Sequence, residues 1–255
     1  QNSDGEIFHL FASVEQLATM LQAKNETEHK TKEFLKSTIS DISHQLKTPL
    51  AALMMYQEII EAEPDNTDTV KEFSQKIGLA LKRMEQLILS MLKITRLDTG
   101  NILFDKRACS VQELIKNAIS ELTTRATQEK KQLIVQGTPN QTVICDMDWT
   151  SEAIGNLVKN ALDHTEAGGI IRITWESTPT MLRILVSDNG SGIAPEDIHH
   201  IFKRFYRSKY SLNIPGIGLG LPLAKSIIEG QGGLISVQSV LHEGTTFSVS
   251  FLTKS

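Results

Sequence analysis

The chain has 255 residues, and its 26 basic and 30 acidic side chains give a net charge of −4. This small acidic excess gives no electrostatic reason to expect nucleic acid or an anionic membrane as the main partner. Hydrophobic residues make up 40% and charged residues 22% of the chain, which excludes wholesale disorder. At this length two domains are more usual than one.

The cysteine count and the length of the apolar runs exclude a cysteine-based fold and a membrane-spanning segment. Cys109 and Cys145 are too few and too far apart for a disulfide-stapled fold or a CxxC metal cage. The longest apolar run, residues 50–56, is much shorter than the roughly 20 residues that span a bilayer. We therefore expect no membrane segment in this sequence. Because it begins with Gln1, we expect a fragment of a longer or processed protein.

The first hundred residues carry apolar side chains at heptad spacing, which predicts long helices. A turn-forming stretch at 63–67 separates two such patterns, so we expect an antiparallel helical hairpin. One hairpin cannot enclose its own apolar stripes, and we expect two to pair as a four-helix bundle in a homodimer. The two stripes comprise Leu35, Ile39, Ile42, Leu46, Pro49 and Leu53, then Val70, Phe73, Ile77, Ala80, Met84, Leu87, Met91 and Ile94.

A further stripe precedes the hairpin, with Ile7, Leu10, Val14, Leu17 and Leu21 at heptad positions. The next equivalent positions, from Lys24 onward, are polar. Such a pattern fits either a solvated connecting helix or a coiled coil that transmits an upstream signal.

After residue 100 the pattern changes to short strands that alternate with helices, which predicts an α/β sandwich. A capping box at Ser110 opens a helix that should run to about Thr127. Further helices are expected at 149–164, 195–203 and 220–230. The predicted strands are 102–104, 132–136, 142–145, 170–175, 181–187, 234–240 and 246–251.

The hairpin carries one candidate nucleophile. His44 lies two residues from both Ile42 and Leu46, so it should face solvent on the side opposite the apolar stripe. A lone surface histidine usually has no role. Thr48 on the same face and a helix interrupted at Pro49 favour a site.

Two glycine clusters suggest a second site. The segment 188–192 follows an apolar strand and combines a carboxylate with glycines, although such a segment is often a plain turn. The segment 216–221 runs into a helix whose free N–H groups could bind phosphate. Neither is a GxGxxG fingerprint or a P-loop.

Asn156 and Asn160 lie on one face of the predicted helix at 149–164, with His164 one turn further along. Amide oxygens are suitable ligands for Mg²⁺, although asparagines with a purely structural role would show the same spacing.

In this order the segments resemble the cytoplasmic part of a sensor histidine kinase. Residues 43–50 are similar to its H box, and the N box, G1 box, F box, G2 box and last glycine box resemble 156–165, 188–192, 201–206, 216–221 and 244–247. The resemblance covers about residues 33–252. It implies an all-α dimeric helical hairpin followed by an α/β sandwich of the Bergerat ATPase type. The implied domains are an N-terminal signalling helix at 1–32, a dimerisation and phosphotransfer domain at 33–98, and an ATP-binding domain at 99–255.

The same resemblance implies the chemistry. His44 would take the γ-phosphate of ATP and pass it to an aspartate of a separate response regulator. Gln45 and Thr48 complete the catalytic set, and Asn160 would hold Mg²⁺. The implied nucleotide-binding residues are Asn156, Asn160, His164, Asp188, Gly190, Gly192, Arg204, Arg207, Gly216, Gly218, Leu219, Gly220, Leu221 and Thr245. A full-length relative would be anchored in the plasma membrane by upstream segments, with this part in the cytoplasm.

Two departures from the family pattern affect these expectations. Gln45 stands where relatives carry a carboxylate that orients the histidine, so we expect weak kinase activity, with Asp41 as the candidate substitute for that carboxylate. Thr48 matches a position used to dephosphorylate the regulator, which favours a phosphatase. Asp163 stands where relatives carry a basic residue. A nucleotide-gated module that docks a regulator without chemistry, and another Bergerat-fold ATPase, are the competing hypotheses.

Overall fold

A computed structural model describes residues 3–100, 102–211, 214 and 216–253. The chain divides into two compact units between Met84 and Glu85. Within the described residues, none of the helices is both long and apolar enough to cross a membrane. The stripe at Ile7, Leu10, Val14 and Leu17 lies outside the described side chains.

The chain begins with the predicted helical hairpin, and the boundary between the two units falls within its second helix. Helix α1 spans Ser3–Ala62, and helix α2 spans Thr67–Asp98, so the turn lies where its sequence predicted it. Asn66 begins α2, because its side-chain oxygen accepts a hydrogen bond from the amide of Thr69 at 3.2 Å. Tyr56 and Phe73 pack together with their ring centroids 5.5 Å apart.

The second unit begins within α2. Leu87, Met91 and Ile94 of the predicted stripe are buried there. Lys93 forms a 2.6 Å ion pair with Glu152, so this end of α2 is tied to the α/β domain by charge as well as by apolar contact.

The α/β domain is a sandwich of one mixed sheet and a helical layer, as predicted. Its five-stranded sheet has the order β2-β4-β5-β7-β6, with β2 and β4 parallel and the other pairs antiparallel. A separate two-stranded sheet joins β1 and β3. The strands are β1 (Arg107–Ser110), β2 (Gln132–Gly137), β3 (Thr142–Cys145), β4 (Ile170–Ser177), β5 (Met181–Asp188), β6 (Leu234–Val240) and β7 (Gly244–Leu252). The helices are α3 (Val111–Ile119), α4 (Leu122–Gln128), α5 (Met147–His164), α6 (Pro195–Ile198) and α7 (Gly220–Gly230).

The core lies between the sheet and helices α3, α5 and α7. Alternate residues of β4, β5 and β7 are buried, which is the period expected of strands with one covered face. Full burial of an aliphatic side chain contributes about 1.5–3 kcal/mol. The central positions, including Ile173, Ile184, Leu157 and Ile227, are fully buried.

Three predicted elements are wrong in extent or place. Residues 102–104 form no strand, because the ring of Phe104 packs edge-on against Trp149 and the first strand begins at Arg107. The helix from Ser110 ends at Ile119, since Ser120 bonds back to the carbonyl of Asn117 and a new helix begins at Leu122. The helix expected at 195–203 has only four residues.

Candidate functional site

Helix α1 presents the histidine segment to solvent. The side chains of His44, Gln45 and Thr48 are exposed, whereas Ile42 and Leu46 on the apolar stripe are half-buried. Within the described residues, no hydrogen bond joins His44 to Asp41 or to Gln45. The imidazole is therefore accessible on this chain and is not committed to an internal partner.

Pro49 lies inside α1, and the helix continues through it without a break. Because proline has no N–H, the carbonyl of Gln45 loses its usual helical donor one turn earlier. The predicted interruption of the helix at Pro49 is therefore wrong, although the missing N–H leaves a carbonyl without its helical donor next to His44.

The centre of the second site is Asp188, at the end of β5. Its Oδ1 accepts hydrogen bonds from the backbone amides of Gly190 at 2.9 Å and Thr245 at 3.3 Å. Thr245 is opposite Asp188 in the β5–β7 ladder, so the sheet register creates this contact. Burial raises the pKa of Asp188 above its usual value, and the two amides oppose that shift. Both amides use Oδ1, so within the described residues Oδ2 keeps its acceptor capacity for a ligand.

The loop after β5 is held against the end of α5. The amide of Ser191 donates to the carbonyl of His164 at 3.0 Å. A Cβ on Gly190 would lie 2.2 Å from that same carbonyl oxygen, so only glycine allows the approach. Asn189 caps the neighbouring strand, since its Oδ1 accepts from the amide of Ile170 at 2.7 Å. The carboxylate and the helix end are therefore fixed relative to each other.

Ser239 on β6 joins this loop to β7, and no sequence motif identified it. Its Oγ accepts from the amide of Ile193 at 2.8 Å and lies 2.8 Å from the carbonyl of Gly244. It also lies 2.9 Å from Oγ1 of Thr245. Only the β6–β7 register, which pairs Ser239 with Thr245, reveals the contact.

Helix α5 carries Asn156, Asn160 and His164 at intervals of one turn. Nδ2 of Asn156 donates to the carbonyl of Glu152 at 3.0 Å, and a Cβ on Gly220 would lie 3.2 Å from its Oδ1. The amide oxygen is thereby directed at the start of α7. Nδ1 of His164 lies 3.5 Å from Oγ of Ser191. Burial, and secondarily the charge of Arg207, lowers the pKa of His164, while Asp163 opposes this shift.

The second glycine cluster precedes α7, whose first residue is Gly220. Among the described residues no side chain caps this helix, which leaves its first amides to bind an anion. Gly218 has a φ of +74°, and its carbonyl accepts from the amide of Phe205 at 2.9 Å. A Cβ on Gly218 would lie 2.8 Å from the carbonyl carbon of Phe205. Leu219 is buried, and Leu221, in the first turn of the helix, is half-buried.

Two arginines of the expected nucleotide set contact protein acceptors. Arg204 forms an ion pair with Asp98 at the end of α2. Arg207 donates to the carbonyls of Ser211 at 2.7 Å and Ile214 at 2.5 Å and so closes the loop that follows it. Among the described residues, no three His, Cys, Asp or Glu side chains converge as a metal site. Asn156 and Asn160, whose carboxamides the sequence analysis predicted as Mg²⁺ ligands, both lie on α5.

Together these features give the second unit a carboxylate at a strand end, a glycine-rich loop and a helix that begins at Gly220, while helix α1 carries an exposed histidine. Two family models match successive parts of the chain. "His Kinase A (phospho-acceptor) domain" matches residues 17–100, and "Histidine kinase-, DNA gyrase B-, and HSP90-like ATPase" matches residues 145–255. The chain belongs to the sensor histidine kinases of two-component systems, and its second domain is of the ATP-binding type.

Sequence relatives are similarly named. The chain is 28% identical over 214 residues to the sensor-like histidine kinase SenX3 of Mycobacterium tuberculosis, with 83% of this chain and 52% of SenX3 covered. It is 30% identical over 225 residues to the sensor protein SrrB of Staphylococcus aureus, with 87% and 39% covered. The chain thus spans about half the length of these relatives or less.

Solved structures share the fold. The mycobacterial sensor histidine kinase MprB is 26% identical, with a TM-score of 0.52 over 58% of this chain and 97% of that one. Histidine kinase ThkA in complex with response regulator protein TrrA is 22% identical, with a TM-score of 0.73 over 91% of this chain and 66% of that one. These likenesses confirm the predicted Bergerat-type architecture.

Proposed function

We propose that this chain is the catalytic part of a histidine kinase that phosphorylates itself on His44 from ATP. In the proposed reaction a ring nitrogen of His44, Nε2 by family resemblance, attacks the γ-phosphorus, the bond to the β-phosphate oxygen breaks, and ADP leaves. The phosphoryl group then passes to an aspartate of a separate response regulator. The observation that carries the proposal is the exposure of His44 within a segment matched by the phospho-acceptor family.

The proposed nucleotide roles come from the family resemblance, and the contacts of Asp188 support them. Its Oδ2 would accept a hydrogen bond from the adenine amino group, and the first amides of α7 would bind phosphate oxygens. Asn160 would hold Mg²⁺ with support from Asn156, because carboxamide oxygens are suitable hard donors. Bound Mg²⁺ supplies charge neutralisation of the phosphates. Arg204 and Arg207 would join this site only by leaving the acceptors that they contact here.

We propose a homodimer built through the hairpin. Large apolar side chains on its helices are exposed in the single chain, and a second copy would cover them. They include Leu50, Met54, Leu81, Ile88 and Leu92, each at least 45% exposed. The domain division at 1–32, 33–98 and 99–255 and the plasma-membrane anchoring of the whole protein stay predictions, as does the response-regulator partner.

The decisive experiment incubates the purified chain with γ-labelled ATP and Mg²⁺. We expect an acid-labile, base-stable label that His44→Ala abolishes. His29→Ala is the matched control, because His29 is also exposed on α1, and it should label like wild type. Label retained in His44→Ala would reject the proposal, and a wild type that binds ATP without labelling would favour the nucleotide-gated module.

A phosphatase-biased enzyme is the second candidate, favoured by Gln45 and Thr48 side by side on the exposed face of α1. An amide can accept a hydrogen bond from the imidazole but cannot take its proton. Thr48 would orient the water that attacks the regulator's phosphoaspartate. Thr48→Ala should abolish dephosphorylation of a phosphorylated receiver domain and leave His44 labelling unchanged. Equal dephosphorylation by both forms would contradict this role.

A further inference from the structure

The hydroxyl of Ser239 has three neighbours, which equals its full hydrogen-bonding capacity of one donor and two acceptor positions. The amide of Ile193 can only donate to it, and the carbonyl of Gly244 can only accept from it. The remaining contact, to Oγ1 of Thr245, is then satisfied only if Thr245 donates. Ser239 thus directs the hydroxyl proton of Thr245 away from Asp188 and toward β6.

We infer that Ser239 is a positioning residue of the adenine subsite, which fixes Thr245 as a hydrogen-bond acceptor beside Asp188. The inference rests on the proposed function, because it assumes that adenine binds at Asp188. Thr245 is buried, and its amide already holds Oδ1 of Asp188. With its proton on Ser239, the Thr245 hydroxyl offers only lone pairs to a ligand, as the carboxylate does.

The Asp188 carboxylate and the Thr245 hydroxyl, both acting as acceptors, favour a base whose edge carries a hydrogen-bond donor. The amino group of adenine donates, whereas the carbonyl oxygen at the same ring position of guanine accepts. Loss of the Ser239 hydroxyl leaves Thr245 free to turn its proton toward the ligand, and also leaves the amide of Ile193 without its partner. The affinity for adenine nucleotides should then fall, and the ratio of adenine-nucleotide to guanine-nucleotide affinity should decrease.

The test measures binding of ADP and GDP with Mg²⁺ by calorimetry to the whole chain. In Ser239→Ala we expect ADP affinity about five- to thirtyfold weaker, the loss of one or two hydrogen bonds, with a smaller change for GDP. Labelling of His44 at saturating ATP should change less than about twofold, because the positioning acts on binding. Ser239→Thr, which keeps the hydroxyl, should retain most of the affinity.

Ser236→Ala is the matched control, because Ser236 is an exposed serine on the same strand, and it should bind like wild type. Should Ser239→Ala not fold, Thr245→Val removes the other half of the contact and should give the same narrowed discrimination. A folded Ser239→Ala or Thr245→Val variant with the wild-type ratio of ADP to GDP affinity would overturn the inference. Wild type that binds neither nucleotide would overturn the proposed function instead.

Discussion

Arg125 holds the carboxylate of Asp163, with Nη2 2.6 Å from Oδ1, although the two residues are 38 positions apart. The same guanidinium binds Glu129 through Nε at 2.6 Å. Lys131 contacts Glu129 and donates to the carbonyl of Leu162 at 2.8 Å. Helix α4 and the following turn thereby neutralise the negative charge of Asp163, which lies next to His164 at the end of α5. Asp163 is the acidic residue that the sequence analysis named as a departure from the family pattern.

Arg125→Met should lower the free energy of unfolding by about 1–2 kcal/mol, because it leaves the mostly buried carboxylate of Asp163 without its cation. Urea unfolding measures the change. Arg107→Met is the control, since the Arg107–Asp105 pair is exposed and should contribute nothing measurable. Asp163→Asn should recover part of the loss in the Arg125→Met background. Equal losses in the two arginine variants would contradict the account.

Asp188→Asn should abolish ADP binding and leave the melting temperature equal to wild type or higher. Burial raises the pKa of Asp188 in the folded chain, so its ionised form at neutral pH is destabilising and a neutral amide removes that cost. Melting curves with and without ADP measure both effects. On this account the Asp188 carboxylate contributes to nucleotide binding and not to the stability of the fold.

Asp197→Asn is the contrasting variant. The neighbouring hydroxyls of Ser208 and Tyr206 lower the pKa of Asp197, and the Tyr206 hydroxyl donates to its Oδ1, so the charged form of Asp197 stabilises the fold. This variant should therefore melt below wild type. If Asp188→Asn melted lower than Asp197→Asn, the assignment of Asp188 as a buried, costly charge would be wrong.

His164 should make the fold less stable as the pH falls below neutral. Its pKa is lowered in the folded chain, so on acidification the unfolded chain takes up the proton first, near pH 6.5, and unfolding becomes easier. Unfolding free energies at pH 7.5 and at about pH 5.5 should differ less in His164→Gln than in wild type. His199→Gln, at an exposed histidine of the same domain, should keep the wild-type difference. An unchanged difference in His164→Gln would refute the prediction.

Gln45→Glu should raise the rate of His44 labelling by about tenfold or more, because a carboxylate can accept the imidazole proton and stabilise its charge. Asp41→Asn should slow wild-type labelling if Asp41 supplies part of that charge. Gln75→Glu, an exposed change on α2, controls for added charge alone. If wild type labelled His44 as fast as Gln45→Glu does, the amide of Gln45 would not limit the labelling rate.

The helical hairpin could be predicted from the sequence because heptad spacing is a local pattern. Burial in the single chain follows that spacing only in part, since Ile39 of the predicted stripe is 63% exposed. Leu87, Met91 and Ile94 occupy the buried positions that this spacing gives them. Most strands were likewise predicted within one or two residues, since alternation of apolar side chains specifies a covered face. The helix at 195–203 was predicted five residues too long, because the chain turns after Ile198, where Phe202 packs against Phe247.

What the residues determined by themselves was chemistry: a solvent-facing imidazole on a helix and a carboxylate followed by glycines at a strand end. Only the tertiary structure decided which distant residues contact the functional groups. Thr245 contacts the Asp188 carboxylate, Ser239 contacts Thr245, and Arg125 binds Asp163. The physical reason is that sheet register and helix packing, which no local spacing encodes, bring together distant residues such as Asp188 and Thr245, which are 57 positions apart.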